Sequence, residues 1–458
     1  MEDPCSFDLL PDAVVLDILS RFARASLQDQ GAKAHILKWD ACEQLIRLQL
    51  VCRRWQGLLF LLPELGWRLK GPADERGLVK FLARSPGFLR RLRLSLSTRY
   101  KASPELQARL AGVCGSLREL EMVQLRDPEA GPEQCLLEPH FDYVALLNSL
   151  SPGGALQTIS FTSHVSLASR QTLLPLPSIL HLNLTSAFIS DNTLQTITDC
   201  CPNLRTLHLD YVRGLQDTLI QSPPLQSLKI STGPFPESLS IDATSLTSMD
   251  LSVGEMLSIA APNLRTLTIG SGLPELEVRQ QWNVSTLQLR GYYWIWDYIE
   301  TLLRVCPNLT SLDIDVKNQL SPGVSVPIRT FLWELCPNVR EVKLALGVLE
   351  ILECSEDDVA GVSGERLPMR TGLFEVDGVT TTTLRQIEFF LRSASFEALQ
   401  LVVLGSSRPA LNKASGALAA LLELEESWAV LEVTFVPACP GWTQWRIFLT
   451  MLNTSRVV

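Results

Sequence analysis

The residues with the clearest potential for binding chemistry form one aromatic run, Tyr292-Tyr293-Trp294-Ile295-Trp296-Asp297-Tyr298. Tyrosine and tryptophan are enriched at the centres of protein interfaces, because they bury a large area and also offer a hydrogen-bonding group. The run therefore predicts contact with a protein partner through Tyr292 or Tyr293. A second interpretation is that Trp294 and Tyr298, at i and i+4, form the buried face of a helix.

Residue patterns typical of catalysis or metal binding are missing from the sequence. No G-x-S-x-G, H-E-x-x-H, G-x-G-x-x-G or phosphate-binding G-x-x-x-x-G-K motif occurs. The five histidines neighbour no obvious nucleophile, and the eleven cysteines form no C-x-x-C pair. We therefore expect a protein that is not an enzyme and that needs no metal or other cofactor.

The elements that must position the aromatic run follow from a repeated pattern, L-x-x-L-x-L, which we call a rung. It is clearest at Leu204-Arg-Thr-Leu207-His-Leu209, and its first apolar position recurs at residues 179, 204, 225, 246, 264, 284, 309 and 339, with weaker rungs from residue 89. Side chains two apart on a strand share a face, so one strand cannot bury them alone and successive units must stack. The spacing is typical of a leucine-rich repeat, and it predicts an α/β solenoid with a curved parallel sheet and helical or irregular return segments.

Several repeats open with the same short sequence, Cys-Pro-Asn or Ala-Pro-Asn, at residues 201–203, 261–263, 306–308 and 336–338. Proline stops a helix there and asparagine favours a turn into the next strand. The small residue before the proline is predicted to be packed in the interior, which assigns these cysteines to packing.

The residues that alternate with the rung leucines are predicted to face the concave surface of the sheet. They are small, polar and mixed in charge, and they lack the arginine cluster expected for recognition of a phosphorylated segment. Together with the aromatic run, they give the predicted partner-binding residues His208, Lys229, Arg290, Tyr292, Tyr293 and Lys343.

The composition favours an intracellular protein. The 458 residues carry a formal net charge of −9, which gives no basic footprint for nucleic acid. The first residues are acidic where a signal peptide would be positive, and no run of about 18 apolar residues occurs. An odd number of scattered cysteines fits reduced thiols, so we expect a cytoplasmic and/or nuclear location without membrane contact.

The N-terminal region differs in kind from the repeats. Leu10-Pro11-Asp12 can open a helix, and Val15, Ile18 and Leu19 then share one face. A second apolar stripe lies in the segment Leu48-Gln-Leu-Val51-Cys52-Arg-Arg-Trp55. Together these two segments, in this order, resemble the F-box motif.

The resemblance implies an F-box/leucine-rich-repeat protein, the substrate-recognition subunit of a Skp–cullin–F-box (SCF) E3 ubiquitin ligase. In that family the F-box docks on the Skp adaptor and, through it, on the cullin, while the repeats bind a protein substrate for ubiquitination and degradation. The subunit is itself non-catalytic. The positions that match the family's adaptor-binding motif are Leu10, Pro11, Val15, Leu16, Ile18, Leu19, Leu48, Val51, Cys52 and Trp55.

The predicted domain organisation follows from these patterns. An F-box domain occupies 8–60 with an insertion near 25–42, because the two halves of the motif are further apart than is usual. A connector is expected at 61–84 and the repeat solenoid at 85–345. Irregular C-terminal repeats and a cap then fill 346–458, with an acidic loop near 353–365 and a last helix from Trp442 to Leu452.

Two alternative functions remain open from the sequence. The chain could be a leucine-rich-repeat scaffold whose N-terminal helices only cap the first repeat, since a solenoid needs a polar end to stay in solution. It also resembles, more weakly, small-molecule-sensing F-box receptors of plants, which hold an inositol phosphate in a basic pocket. Co-purification of the Skp adaptor would distinguish the first alternative, and a bound anion would favour the second.

Overall fold

The computed structural model describes residues 10–25, 57–85, 87–97, 103–113, 115–125, 146–148, 154–162, 173–187, 189–231, 237–252, 256–270, 275–277, 281–292, 294–316, 325–349, 351–353, 367–377, 386, 394–404, 430–435 and 445–450. Residues 26–42 of the predicted insertion and 354–365 of the acidic loop lie outside these ranges. The chain divides into two compact units, Met1–Pro236 and Glu237–Val458.

The first unit is built on a parallel sheet whose strands contain the predicted rungs. The strands are β1 (Glu64–Leu69), β2 (Arg91–Ser97), β3 (Glu119–Leu125), β4 (Thr158–Thr162), β5 (His181–Thr185), β6 (Thr206–Asp210), β7 (Asp217–Gln221) and β8 (Ser227–Ser231). Within this unit the sheet order is β1-β2-β3-β4-β5-β6-β8, and β7 is not part of it.

Alternating burial explains why the rungs stack. In β6, Leu207 and Leu209 are buried and the intervening His208 is half-exposed. The register places Leu207 between Leu182 of β5 and Leu228 of β8, so each leucine extends a continuous apolar row. The other face of the same sheet carries the side chains that alternate with the leucines, and we call it the polar face.

The first unit contains the helices α1 (Asp12–Ala25), α2 (Pro72–Arg84), α3 (Pro104–Val113) and α4 (Asp191–Cys200). Both α1 and α2 pack against β1, and α2 also packs against α3. The start of α4 is fixed by Ser190, whose hydroxyl oxygen accepts from the Thr193 amide. The α/β fold with a parallel sheet is therefore confirmed in this unit.

The predicted connector at 61–84 is instead the first strand–helix unit of the sheet. Strand β1 pairs in parallel with β2 along its whole length, and α2 follows it. The physical reason is a period-two pattern, because Leu65, Trp67 and Leu69 are all buried at alternate positions. The sequence L-G-W-R-L lacks the third leucine of the rung, so the L-x-x-L-x-L pattern does not identify this strand.

The second unit continues the same construction. Its strands are β9 (Ser238–Asp242), β10 (Ser248–Leu251), β11 (Met256–Ala260), β12 (Thr266–Ile269), β13 (Glu275–Glu277), β14 (Thr286–Gly291), β15 (Ser311–Val316), β16 (Val326–Pro327), β17 (Glu341–Leu344), β18 (Leu352–Glu353), β19 (Leu367–Asp377), β20 (Ala394–Leu404), β21 (Val430–Phe435) and β22 (Trp445–Thr450). Its main sheet has the order β10-β12-β14-β15-β17-β19-β20-β21-β22 and is parallel up to β21.

The return segments of the second unit take two forms. Early in the unit they are strands, since β9, β11 and β13 pair in parallel as a separate small sheet. Later they are helical, with α5 (Trp296–Val305), a π-helical turn at Thr330–Leu335 and the short α6 (Leu346–Leu349). Strands β16 and β18 also pair in parallel between these later repeats.

The end of the second unit differs from the prediction. The expected helix from Trp442 to Leu452 is wrong, because β22 covers Trp445–Thr450 and pairs antiparallel with β21. The segment W-R-I-F-L-T is rich in aromatic and β-branched residues, which favour strands. An antiparallel strand at this position pairs the backbone groups that β21 would otherwise leave open along that edge.

The Cys-Pro-Asn sequences join neighbouring repeats. Cys306 and Cys336 are nearly completely buried, and burial raises the pKa of the Cys306 thiol to about 12. The asparagine side chains donate hydrogen bonds to backbone carbonyls of the preceding repeat. Asn203 Nδ2 donates to Pro177 O at 2.7 Å, and Asn338 Nδ2 donates to Pro307 O at 2.9 Å. Each of these bonds links the start of one repeat to the same place in the repeat before it.

Candidate protein-binding surfaces

The inner face of α1 forms part of a small apolar core. Val15 and Leu19 are completely buried against Leu58, Leu59 and Leu62, with Leu10 and Leu16 packed at the margin of that core. Val15 and Leu19, which the motif assigns to adaptor binding, therefore have no exposed surface in this structure. Their place in the core indicates that they hold α1 in position.

A neighbouring flank of α1 carries apolar residues that face solvent. Pro11, Val14 and Ile18 lie at i, i+3 and i+7, which places them on one side of the helix. Pro11 is exposed, the Val14 side chain is 42% exposed and Ile18 is half-buried. Sequence reasoning missed Val14, although its spacing from Pro11 and Ile18 gave the signal. We call Pro11, Val14 and Ile18 the outer flank of α1.

The remaining predicted adaptor-binding residues, Leu48, Val51, Cys52 and Trp55, lie outside the described residues. The segment that follows them is described. Residues 57–62 supply three leucines to the core beneath α1, and Pro63 O accepts hydrogen bonds from the backbone amides of Arg90 and Arg91. The core under α1 is therefore continuous with the beginning of the sheet.

Paired charges cover the polar face of the first three strands. Arg91 lies between Glu64 and Glu119 and forms an ion pair with each. Arg93 pairs with Glu121 at 3.5 Å. Burial raises the pKa of the Glu121 carboxyl, although the charges of Arg93 and Arg91 act in the opposite direction. Both arginines are therefore engaged by acidic side chains of neighbouring strands.

Further along the first unit, the polar face carries mostly uncharged groups, together with Asp210 and Lys229. His208 lies in one row with Asn183 and Lys229, on three neighbouring strands. Lys229 is exposed and His208 is half-exposed. The structure thus brings His208 and Lys229 side by side, as the register of consecutive rungs predicts.

An exposed tyrosine that the sequence reasoning missed follows β6. Tyr211 is 54% exposed and has a φ of 52°, in the left-handed region that residues other than glycine rarely occupy. Its signal in the sequence was an aromatic residue directly after a rung.

The aromatic run divides between the interior and the surface. Trp294 and Trp296 are each only 3% exposed, and Trp296 packs against Phe331 with ring centroids 6.3 Å apart. Tyr292 is 47% exposed and Ile295 is 43% exposed. The helix begins at Trp296, so Trp294 is buried ahead of the helix and not on its face. Tyr293 lies outside the described residues.

The other predicted binding residues of the second unit lie on its polar face. Lys343 Nζ is 3.6 Å from Asp313 Oδ1, across the β15–β17 pair. Arg290 is exposed on β14, two residues before Tyr292. Arg290 and Tyr292 therefore form one local surface, whereas Lys343 is held in a separate ion pair.

The described residues show neither a candidate metal site nor a candidate membrane-spanning helix. Within the ranges given above, no three His, Cys, Asp or Glu side chains gather in a way that could hold a metal ion. None of the helices in those ranges is long and apolar enough to cross a membrane.

One comparison with known families gives a match. Residues 115–286 match a family model described as "FBD-associated F-box protein At5g56370, LRR repeats". The matched range runs from just before β3 to the first residue of β14, so it covers repeats and not the N-terminal helices. No curated protein matches the chain.

Proposed function

We propose that the chain serves as the substrate-recognition subunit of a Skp–cullin–F-box ubiquitin ligase, because residues 115–286 match the leucine-rich repeats of an F-box protein family. Proteins of this family are in general non-catalytic adaptors that act through protein–protein contacts. In the proposed arrangement the outer flank of α1 docks on the Skp adaptor, which is bound to the cullin, and the polar face of the repeats binds a protein substrate.

The observation that carries the proposal is the division of α1 into two apolar sides. One side closes the core through Val15 and Leu19, which are completely buried. The other side carries Val14, which is 42% exposed and lies outside that core. A folded helix that keeps a second apolar flank open is typical of a docking surface.

The attachment of α1 supports a role in presenting a substrate. Helix α1 packs against β1, and β1 is hydrogen-bonded to β2 over six residue pairs from Glu64↔Arg91 to Leu69↔Leu96. A docking helix joined directly to the sheet would hold the repeats of this unit in a fixed orientation on the adaptor. Such an orientation suits a receptor that must present its substrate to a bound ubiquitin-carrying enzyme.

The test is capture of a purified Skp adaptor by the full chain and by Val14→Asp. Burying a valine side chain in an interface contributes roughly 1.5–3 kcal/mol, so we expect the substitution to weaken adaptor binding about 10- to 100-fold. Leu219→Asp is the matched control, because Leu219 is 41% exposed but lies on β7. It should bind the adaptor as the unmodified chain does.

The outcomes separate the ligase role from the scaffold alternative. Loss of binding in Val14→Asp alone supports the proposal. If the unmodified chain is folded but captures no adaptor, the N-terminal helices act only as a cap and the protein is a scaffold. Equal losses in Val14→Asp and Leu219→Asp would refute the assignment of the outer flank.

A further inference from the structure

One row of the polar face in the second unit has an unusual composition. The register aligns Ser252, Gly270, Arg290 and Asp315 on four neighbouring strands or at their ends. An exposed arginine thus lies between a residue without a side chain and an acid. At the end of the same strand the exposed Tyr292 and Ile295 follow. We call Arg290, Tyr292 and Ile295 the Arg290 patch.

The guanidinium of Arg290 is held in place but has unused hydrogen-bonding capacity. Its Nη2 donates to Gln288 Oε1 at 2.9 Å, and the same oxygen accepts from the Thr268 hydroxyl at 3.3 Å. Within the described part of the chain, its other N–H groups have no partner. A guanidinium has five N–H donors in a fixed planar arrangement, so a bidentate acceptor can still bind it.

The backbone of Arg290 is also held by a hydrogen bond. The Trp294 indole Nε1 donates to Arg290 O at 2.9 Å, and Trp294 is almost completely buried. Between them Gly291 has a φ of 95°, which turns the chain out of β14 and leaves Tyr292 exposed. Arg290 and Tyr292 are therefore positioned by the fold on one rim of the sheet.

Gly270 is packed closely on Ser252. A Cβ atom at Gly270 would lie 3.0 Å from Ser252 Oγ and 3.2 Å from Ser252 Cα, which is closer than ordinary contact. The fold therefore leaves no room for a side chain at position 270, so on this side Arg290 has a glycine as its neighbour in the row.

The charges around the patch indicate which acceptor fits. Asp315 is next to Arg290 in the row, and Lys343 is already paired with Asp313. A phosphate carries close to two negative charges and usually requires more than one cation. A carboxylate carries one charge and matches the planar donors of a single guanidinium.

We propose that the Arg290 patch binds an acidic side chain, Asp or Glu, in an extended segment of the protein substrate. The carboxylate accepts from the remaining N–H groups of Arg290, and an apolar residue of the same segment packs on Tyr292 and Ile295. This inference rests on the proposed role of the repeats in binding a protein substrate, and it names the chemistry of that contact.

The probe is an immobilised array of blocked nonapeptides with randomised flanks and a central Glu, Gln or phosphoserine. We expect the full chain to retain the Glu peptides over the Gln peptides roughly 10- to 150-fold, the range for a charge-assisted hydrogen bond. Arg290→Gln should reduce that ratio to about one. Tyr292→Ala should lower retention of both classes alike, because its contact is apolar.

Arg265→Gln is the control for loss of one exposed positive charge, and it should keep the Glu preference. The inference is overturned if the unmodified chain retains no peptide above background or shows no Glu preference. It is also overturned if Arg265→Gln loses the preference to the same degree. An Arg290-dependent preference for phosphoserine over Glu would assign the patch to phosphorylated segments instead.

Adaptor capture by the same preparations distinguishes this inference from the proposed function. Arg290→Gln should capture the Skp adaptor normally, since it lies outside α1. A chain that fails to capture the adaptor but keeps its Glu preference loses only the ligase role. A chain that captures the adaptor without a Glu preference loses only the Arg290 patch.

Discussion

Two helical glycines of the first unit provide a sharp test of its packing. Gly77 lies in the middle of α2 and Gly112 lies near the end of α3. Replacing a helical glycine by alanine usually stabilises a protein by about 1 kcal/mol, because alanine has the higher helix propensity. The two positions differ in what a new methyl group would meet. At Gly112 nothing lies within 4 Å, whereas at Gly77 the methyl carbon would be 3.1 Å from Trp67 Cζ2.

Trp67 cannot easily move aside. Its Nε1 donates to Asp74 O at 3.1 Å, its ring centroid is 6.2 Å from that of Phe81, and the residue is 8% exposed. Overpacking of such a site costs about 1–3 kcal/mol. We therefore expect Gly77→Ala to leave the free energy of unfolding unchanged or to lower it by up to about 2 kcal/mol. Gly112→Ala should raise it by about 0.5–1 kcal/mol.

Hydrogen exchange measures both effects locally, which matters because repeat proteins need not unfold as one unit. Protection of the α3 amides should rise about twofold to fivefold in Gly112→Ala, and protection of the α2 amides should not rise in Gly77→Ala. If α2 gains as much protection as α3, the contact between Gly77 and Trp67 is not tight, and α2 packs less closely on β1 than the structure shows.

Three further predictions concern ionisable groups. The Asp191 carboxylate accepts from two backbone amides and one hydroxyl at the start of β7, so Asp191→Ala should lower the free energy of unfolding by about 2 kcal/mol. In the same urea titration Asp199→Ala, on the same helix, should change it by less than about 0.5 kcal/mol; equal effects would contradict this. Because burial raises the pKa of Glu121, its stabilising contribution is present below the unfolded pKa and lost as the pH rises through the folded pKa. Glu121→Gln should therefore gain stability relative to the unmodified chain from about pH 4 to pH 7, and a constant difference would be inconsistent with burial. Since burial raises the pKa of Cys201 and Cys306 to about 12, iodoacetamide near pH 8 should label neither thiol before unfolding, as peptide mass mapping can check.

The strands of the main sheets could be predicted because the rung carries its own geometry. Leu207 and Leu209 must share a face of a strand, and their register partners Leu182 and Leu228 recur at the repeat spacing. The polar face follows from the same alternation, so His208, Lys229 and Arg290 could be placed on it from sequence. What the pattern could not give is the environment of each side chain. That Arg290 is held by Gln288, and Lys343 by Asp313, depends on contacts between strands.

The repeat pattern predicts return segments that are helical or irregular, and the length of each repeat accounts for the form that its return takes. Rungs at 179 and 204, and at 284 and 309, are 25 residues apart, and these intervals contain the ten-residue helices α4 and α5. The rungs from 204 to 284 are closer together, and their intervals contain β7, β9, β11 and β13. Ten helical residues span about 15 Å at 1.5 Å each, and five strand residues span about 16 Å at 3.3 Å each. A short return can therefore cross the same width only as a strand.

The N-terminal motif also predicts an element without giving the environment of its side chains. Its apolar spacing marks α1 as a helix with buried residues, but it does not say which of them face inward. Val15 and Leu19 are fixed as core by the leucines of residues 57–62, and that contact is between segments distant in sequence. Val14, by contrast, is exposed and is not part of that core in the described residues. For this reason we place the proposed adaptor contact on the outer flank, which contains Pro11 and Ile18 of the motif together with Val14, and not on Val15 and Leu19.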